Sequence, residues 1–250
     1  MVFFAKITIL TARGHAIVEI EPYIYRMKIL KNHSFEGQVW KVIFDIEPTA
    51  DSSQKLCLET RNTADKTVKW LVLDGVSGEI IWQKEAADWW ESLASFQRGC
   101  ILIKQFSNAQ EPAPRGSFLL NMADGELLHQ PPVETTDNIV PIYFQYPGTY
   151  IATDLYYKTM AQFINQVSNH APVEAVEYAE LNGHVVLSYY YYAENLLNQA
   201  ILVIDRNRQI VFSEPLANNL SGLTAVSFLI SDKNLYFVKN KNEFVLINFD

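Results

Sequence analysis

The sequence predicts an all-β chain folded as a β-propeller of about five four-stranded antiparallel blades, and three observations carry that prediction. Aromatic residues make up 13% of the chain, with 13 Tyr and 14 Phe, side chains that pack well on pleated surfaces. The stretch Trp70-Leu71-Val72-Leu73-Asp74-Gly75-Val76-Ser77-Gly78-Glu79-Ile80-Ile81-Trp82 reads as strand, tight turn, strand, because positive φ costs little only for Gly, Asn or Asp. That corner then recurs. Asn121 stands 47 residues after Asp74, and Gly125 stands 47 after Gly78. Asp205 and Asn248 are 43 apart, and the 84 residues between Asn121 and Asp205 make two periods of 42 with Asn165 near the middle. A period of roughly 40–50 residues with four strands per unit is the pattern of a propeller.

Each element follows from its own residues. Phe3–Leu10, Ala16–Glu21 and Tyr23–Leu30 are rich in β-branched and aromatic residues and read as strands. Val39–Glu47, Lys55–Thr60, Val68–Leu73 and Glu79–Gln83 form one meander joined by polar loops. Leu93–Gln97, Cys100–Phe106, Ser117–Asn121 and Glu126–Gln130 form the next. His184–Tyr192 is apolar or aromatic on both faces, as a sheet held between two others requires. Ala152–Val167, which holds Asn165, reads equally as a helix, because Leu155, Thr159, Phe163 and Val167 recur about once per helical turn. The last copy stops just after Asn248, so its outer strand is expected from the N-terminal side, Phe3–Leu10 or Ala16–Glu21. That strand would close the ring and hide both sheet edges.

Composition narrows the function classes. A single propeller domain over residues 1–250 is expected, at 49% hydrophobic and 19% charged residues. The net charge of −8 argues against nucleic-acid binding, which needs a cationic surface, and against docking on anionic lipid. No run approaches the roughly 18 apolar residues of a membrane-spanning helix, and the apolar start is interrupted by Lys6 and lacks a basic leader. A cytoplasmic protein is therefore expected. Cys57 and Cys100 lie in apolar runs without zinc spacing, and read as small buried hydrophobes, with a cross-strand disulfide as the alternative.

Leu71–Trp82 resembles the inner hairpin of the quinoprotein-type (PQQ-like) propeller repeat, in which an apolar strand, Asp, a small-residue turn with Gly, a Glu or Lys, and a second apolar strand lead to Trp. Phe118–His129 is similar, with Asn121 and His129 in place of the Asp and the Trp. The resemblance implies a blade and no cofactor: the quinone-holding dehydrogenases are larger and eight-bladed, and no residues here match their site. Its non-catalytic relatives are scaffolds and sensors.

A propeller carries its functional groups at one mouth of the channel, on loops between blades and between the second and third strands of each blade. Asp88-Trp89-Trp90-Glu91 lies in such a loop, and paired indoles beside carboxylates suit a sugar ring or a cation; the alternative is packing between blades. His33 and His170 each follow Asn in connecting loops and would meet at the channel as a base or as ligands to a metal, with Asp137 or Asp88 as the carboxylate partner. Ordinary channel-wall histidines are the alternative. The ligand-binding candidates are thus His33, Asp88, Trp89, Trp90, Asp137 and His170, with no metal or cofactor assigned. No nucleophile elbow, phosphate loop or dinucleotide fingerprint is present. A non-enzymatic interaction or ligand-sensing module is the first expectation, its partner a protein segment or a small molecule at the mouth. The alternative is a small-propeller glycoside hydrolase or lyase drawing on Asp88, Glu91, Glu134 and Asp137.

Overall fold

The computed structural model describes residues 4–12, 15–23, 27–44, 54–97, 99–129, 144–223, 226–231 and 233–249. The chain begins with a two-stranded hairpin, β1 (Phe4–Ala12) against β2 (His15–Tyr23), followed by β3 (Met27–Ser34). The first blade is a meander of β4 (Gln38–Phe44), β5 (Lys55–Asn62), β6 (Thr67–Asp74) and β7 (Ile80–Glu85). The second repeats it with β8 (Glu91–Gln97), β9 (Cys100–Gln105), β10 (Gly116–Asn121) and a short β11 (Leu127–Leu128). After β12 (Phe144–Gln145), β13 (Gly148–Ile151) and helix α1 (Tyr157–Ser168), the third blade is β14 (Pro172–Leu181), β15 (His184–Ala193), β16 (Leu196–Ile204) and β17 (Ile210–Leu220). The fourth is β18 (Phe228–Ser231), β19 (Asn234–Lys239) and β20 (Glu243–Phe249), with β3 as its outer strand.

This is an all-β propeller architecture, and the outer strand of its last blade does come from the N-terminal side. The strand is β3, paired antiparallel to β20 from Met27↔Phe249 to Ser34↔Glu243. Of the expected closing strands, Ala16–Glu21 and the described part of Phe3–Leu10 instead pair with each other within β2 and β1. Connectivity explains the difference. Residues 35–37 alone separate β3 from β4, a short link like the one that carries β7 into β8, so β3 occupies the outer-strand position just upstream of the first blade.

Four such blades are described, against the five or so expected. The shortfall lies at Asn165, which sits in α1. Helical periodicity prevails there because Met160, Phe163, Ile164 and Val167 cover the outer face of the third blade, against Val176, Leu187, Tyr189, Leu202 and Ile204. β12 and β13 instead extend the inner edges of the fourth and third blades. The expected strand Glu126–Gln130 forms only at Leu127–Leu128, and Gln130 lies outside the described residues.

Neighbouring blades bury their faces on one another. Cys57, Trp70 and Val72 of the first meet Leu93, Ile101, Ile103 and Leu120 of the second. Leu56, Leu58, Leu71 and Leu73 on the other face of the first meet Leu229, Tyr236, Phe244 and Leu246 of the fourth. Val186, Ile201 and Val203 of the third meet Phe228, Leu235, Phe237 and Ile247 of the fourth. Cys57 and Cys100 are both buried, and no disulfide joins them.

The recurring polar residue has a structural task. Asp74 Oδ1 accepts hydrogen bonds from Val76 N (3.1 Å) and Ser77 N (2.7 Å), Asn121 Oδ1 from Ala123 N (2.9 Å), and Asp205 Oδ1 from Asn207 N and Gln209 N (both 2.8 Å). Each folds the corner through an Asx turn. The corners also interlock blades. Gly78, at φ +72, lies against Lys31 and Leu246, and His33 Nε2 donates to Gly78 O at 2.7 Å. Gly125, at φ +75, lies against the Trp82 ring, and Lys84 Nζ donates to Gly125 O at 2.8 Å.

Candidate functional site

The described parts of the links from one blade to the next (35–37, 86–90, 221–223 and 226–227) and the turns between second and third strands (63–66, 106–115, 194–195, 240–242) gather at one end of the blades. A cavity of about 700 Å³ opens there, within the roughly 300–1,000 Å³ range of small-molecule sites. One wall is β4, with Val39, Trp40, Lys41 and Val42; the fourth blade supplies Phe228, Tyr236, Phe237 and Phe244. The third blade and its exit contribute Gln199, Leu216, Leu223 and Ser227, and Tyr146, between β12 and β13, stands at the rim. Trp40, Tyr146, Leu223 and Val226 are large apolar side chains left exposed at this mouth.

Trp40 reaches the cavity because β4 bulges. Val39 pairs with Thr60 and Lys41 with Glu59, leaving Trp40 as the extra residue, and a bulge re-aims the side chain it carries. Behind the indole lies a layered ionic stack. The Arg61 guanidinium sits 5.6 Å from the Trp40 ring and 5.0 Å from the Trp89 ring, and Lys66 Nζ is 4.9 Å from Trp89. Arg61 is fixed by Nε–H donation to Glu59 (2.7 Å), and by Nη1 and Nη2 donation to Trp89 O and Glu91 O (both 2.8 Å). Glu59, fully buried, also accepts from Leu93 N and from Ser92 Oγ, which ties the first blade to the second. A planar guanidinium with five donors suits this multiply bonded, stacked position.

Charge at the cavity is one-sided. Among the described residues its charged lining groups are Lys41 and Lys241, with no Asp or Glu. Lys41 Nζ donates to Ser92 Oγ (2.9 Å) and Leu93 O (2.8 Å). Neither lysine forms an ion pair among the described residues. Behind the wall, Ser227 N (3.2 Å) and Ser227 Oγ donate to Glu177, whose carboxyl burial pushes up from 4.5 to about 7.

The residues nominated from sequence divide among three places. Asp88, Trp89 and Trp90 lie in the 86–90 link and none of them lines the cavity: Asp88 pairs with Arg115 at 3.0 Å and accepts from Trp90 N, while Trp89 lies under Arg61 and packs toward the core between the first two blades. Glu91 is buried, accepting from Ala87 N (3.0 Å) and Gln105 Nε2 (2.9 Å). His33 and His170 do not meet. His33 is on β3 against the Gly78 corner; His170, beside α1, bonds Tyr189 Oη (2.8 Å) and stacks on the Tyr191 ring at 3.9 Å, where burial lowers its pKa. Asp137 and Glu134 fall outside the described residues. Among the described residues no three His, Cys, Asp or Glu cluster in a way that would hold a metal ion, and no helix is long and apolar enough to cross a membrane. Sequence reasoning missed Trp40. Its signal was the break in alternation across Gln38-Val39-Trp40-Lys41-Val42, which is what a bulge looks like in one dimension.

Residues 50–129, covering most of the first blade and the second, match a family described as a domain of unknown function, DUF4905. Among solved structures, the chain is similar to BamB from Moraxella catarrhalis, with 9% identity over 90% of this chain and 100% of that one, at a TM-score of 0.28. No curated protein matches the sequence.

Proposed function

We propose that the protein is a non-enzymatic binding module, its blades built on the quinoprotein-type repeat, which holds a protein segment or a small molecule at the mouth cavity. The observation that carries this reading is the bulged Trp40, more than half exposed, standing over an apolar cavity of about 700 Å³. Its rigid backing by Arg61 and Glu59 supports it further, because a pre-ordered wall lowers the entropy lost on binding. The hairpin Leu71–Trp82 supports the repeat assignment. A carbohydrate-active enzyme finds no comparable support: Asp88 and Glu91 are committed to Arg115, Ala87 N and Gln105, and no carboxylate lines the cavity among the described residues.

The test is a thermal-shift panel of sugars, nucleotides, metal ions and apolar molecules of each charge, run on the wild-type protein and on Trp40→Ala. A stabilising ligand whose effect is lost in Trp40→Ala supports the reading. Stabilisation that survives the substitution unchanged, or a panel without any hit, overturns it.

A further inference from the structure

The cavity is apolar over most of its wall, yet its charged lining residues, among the described residues, are two lysines and no Asp or Glu, in a chain of net charge −8. That asymmetry is the reverse of what the overall composition would supply. We propose that the mouth cavity binds a small amphipathic carboxylate, its apolar body lying on Trp40, Phe237 and Phe244 and its carboxylate meeting Lys41 and Lys241. The inference rests on the binding-module reading and names the ligand class of the same site.

Placement supports it. Val39 N–H donates to Lys241 O at 2.7 Å, so the 240–242 turn is tied to β4 two residues from Lys41. Lys241 sits at φ +64 in that turn, exposed, with an ammonium free of any bond to the described residues. Lys41 is half-buried, and its two acceptors are a hydroxyl and a backbone carbonyl. The Glu59 carboxylate lies beyond the Ser92 hydroxyl and is already paired with Arg61, so an ammonium bonded directly only to neutral acceptors keeps positive charge for an incoming anion, because charge-assisted hydrogen bonds are about twice as strong as neutral ones. The ring faces and branched side chains beside it favour a hydrocarbon body over a hydrated one. A sugar would leave its hydroxyls against Val42, Phe237 and Phe244, and a cationic amphiphile would meet both lysines.

Three ligands of one chain length separate these terms: decanoate, decanol and decylamine, each kept below its micelle-forming concentration and measured by titration calorimetry on the full chain. Decanoate should bind at least about 10-fold more tightly than decanol, with decylamine weakest. In the series octanoate, decanoate, dodecanoate, each buried methylene should tighten binding about 4-fold, the equivalent of ~0.8 kcal/mol. Lys241→Gln, which breaks no hydrogen bond or ion pair among the described residues, should weaken decanoate about 3- to 10-fold and leave decanol unchanged. Trp40→Ala should weaken both. Decanol or decylamine binding as tightly as decanoate in a Trp40-dependent way overturns the carboxylate and keeps the binding-module reading. An unaltered decanoate affinity in Lys241→Gln overturns the inference, as does failure of all three ligands to bind. A pair of decapeptides with free and amidated C-termini forms the last arm: if only the free-acid peptide binds while decanoate does not, the occupant is a polypeptide terminus and the small-molecule proposal is overturned.

Discussion

Glu177 should make the stability of the protein fall as pH rises toward neutrality. The residue lies on β14 facing the fourth blade, is 3% exposed, and has Ser227 as its hydrogen-bond donor through both backbone N–H and hydroxyl. Burial raises its carboxyl from 4.5 to about 7, while the Ser227 N–H pulls the other way. Between those two values the folded protein holds a proton that the unfolded chain has released. The stabilisation from that proton is complete below 4.5 and disappears as pH climbs through about 7. At 1.36 kcal/mol per unit, the span from 4.5 to about 7 corresponds to about 3 kcal/mol, an upper figure given the Ser227 donors. Glu177→Gln keeps the size and an acceptor for Ser227 but cannot ionise. Urea melts at pH 4.5, 5.5, 6.5 and 7.5 should therefore show the variant gaining on the wild type by up to about 3 kcal/mol across the series, or roughly 6–12 °C in Tm. Parallel curves for the two proteins, or a variant that loses ground as pH rises, would refute the reasoning.

Three further outcomes can be measured directly. Glu59→Ala leaves the Arg61 guanidinium and Leu93 N–H buried without their acceptor and should cost about 3–5 kcal/mol in chemical denaturation, with Glu59→Gln costing less. Gly125→Ala and Gly99→Ala both force a Cβ onto positive φ, at about 1–2 kcal/mol, but only at Gly125 does that atom come within 3.0 Å of the Trp82 ring; Gly125→Ala should therefore be the more destabilising, and equal losses would contradict the interlock. Cys57 and Cys100 are fully buried and burial pushes both thiols up, so alkylation at pH 8 should proceed only as fast as unfolding; labelling within seconds in native buffer would contradict that burial.

The blades were legible because their corners need particular residues. Asp74, Asn121 and Asp205 recur since a short side-chain oxygen must take the turn N–H groups, and Gly78 and Gly125 recur since positive φ there excludes a Cβ. The same rule misled at Asn165, whose Nδ2 donates to His170 O beyond a helix and folds no hairpin. Asn248, where the last copy is expected to stop, lies near the end of β20 and donates through Nδ2 to Asn234 Oδ1 across strands. Polar residues ending apolar runs mark turns only when the next few backbone N–H groups are free to bond them. The site was less visible because its features depend on which blades touch. Asp88 and Glu91 looked available in one dimension, but Arg115 and Gln105, from the neighbouring loop and strand, occupy them. Trp40 depends on one unpaired position in β4, and Lys241 on a turn that reaches β4 from two hundred residues away.

The pairing of β3 with β20 has a temporal side. Met27 lies opposite Phe249, so two pieces of chain separated by more than 200 positions complete one sheet. During synthesis β3 emerges before the rest of the four blades and has no mate until β20 has followed it, whereas the first two meanders assemble from near neighbours in sequence. Such distant closure is slow to find, yet it adds little entropy cost per extra residue of loop. The strand that pairs with β20 is the one that carries His33 to the Gly78 corner, so the closure of the last blade also holds the first one in place.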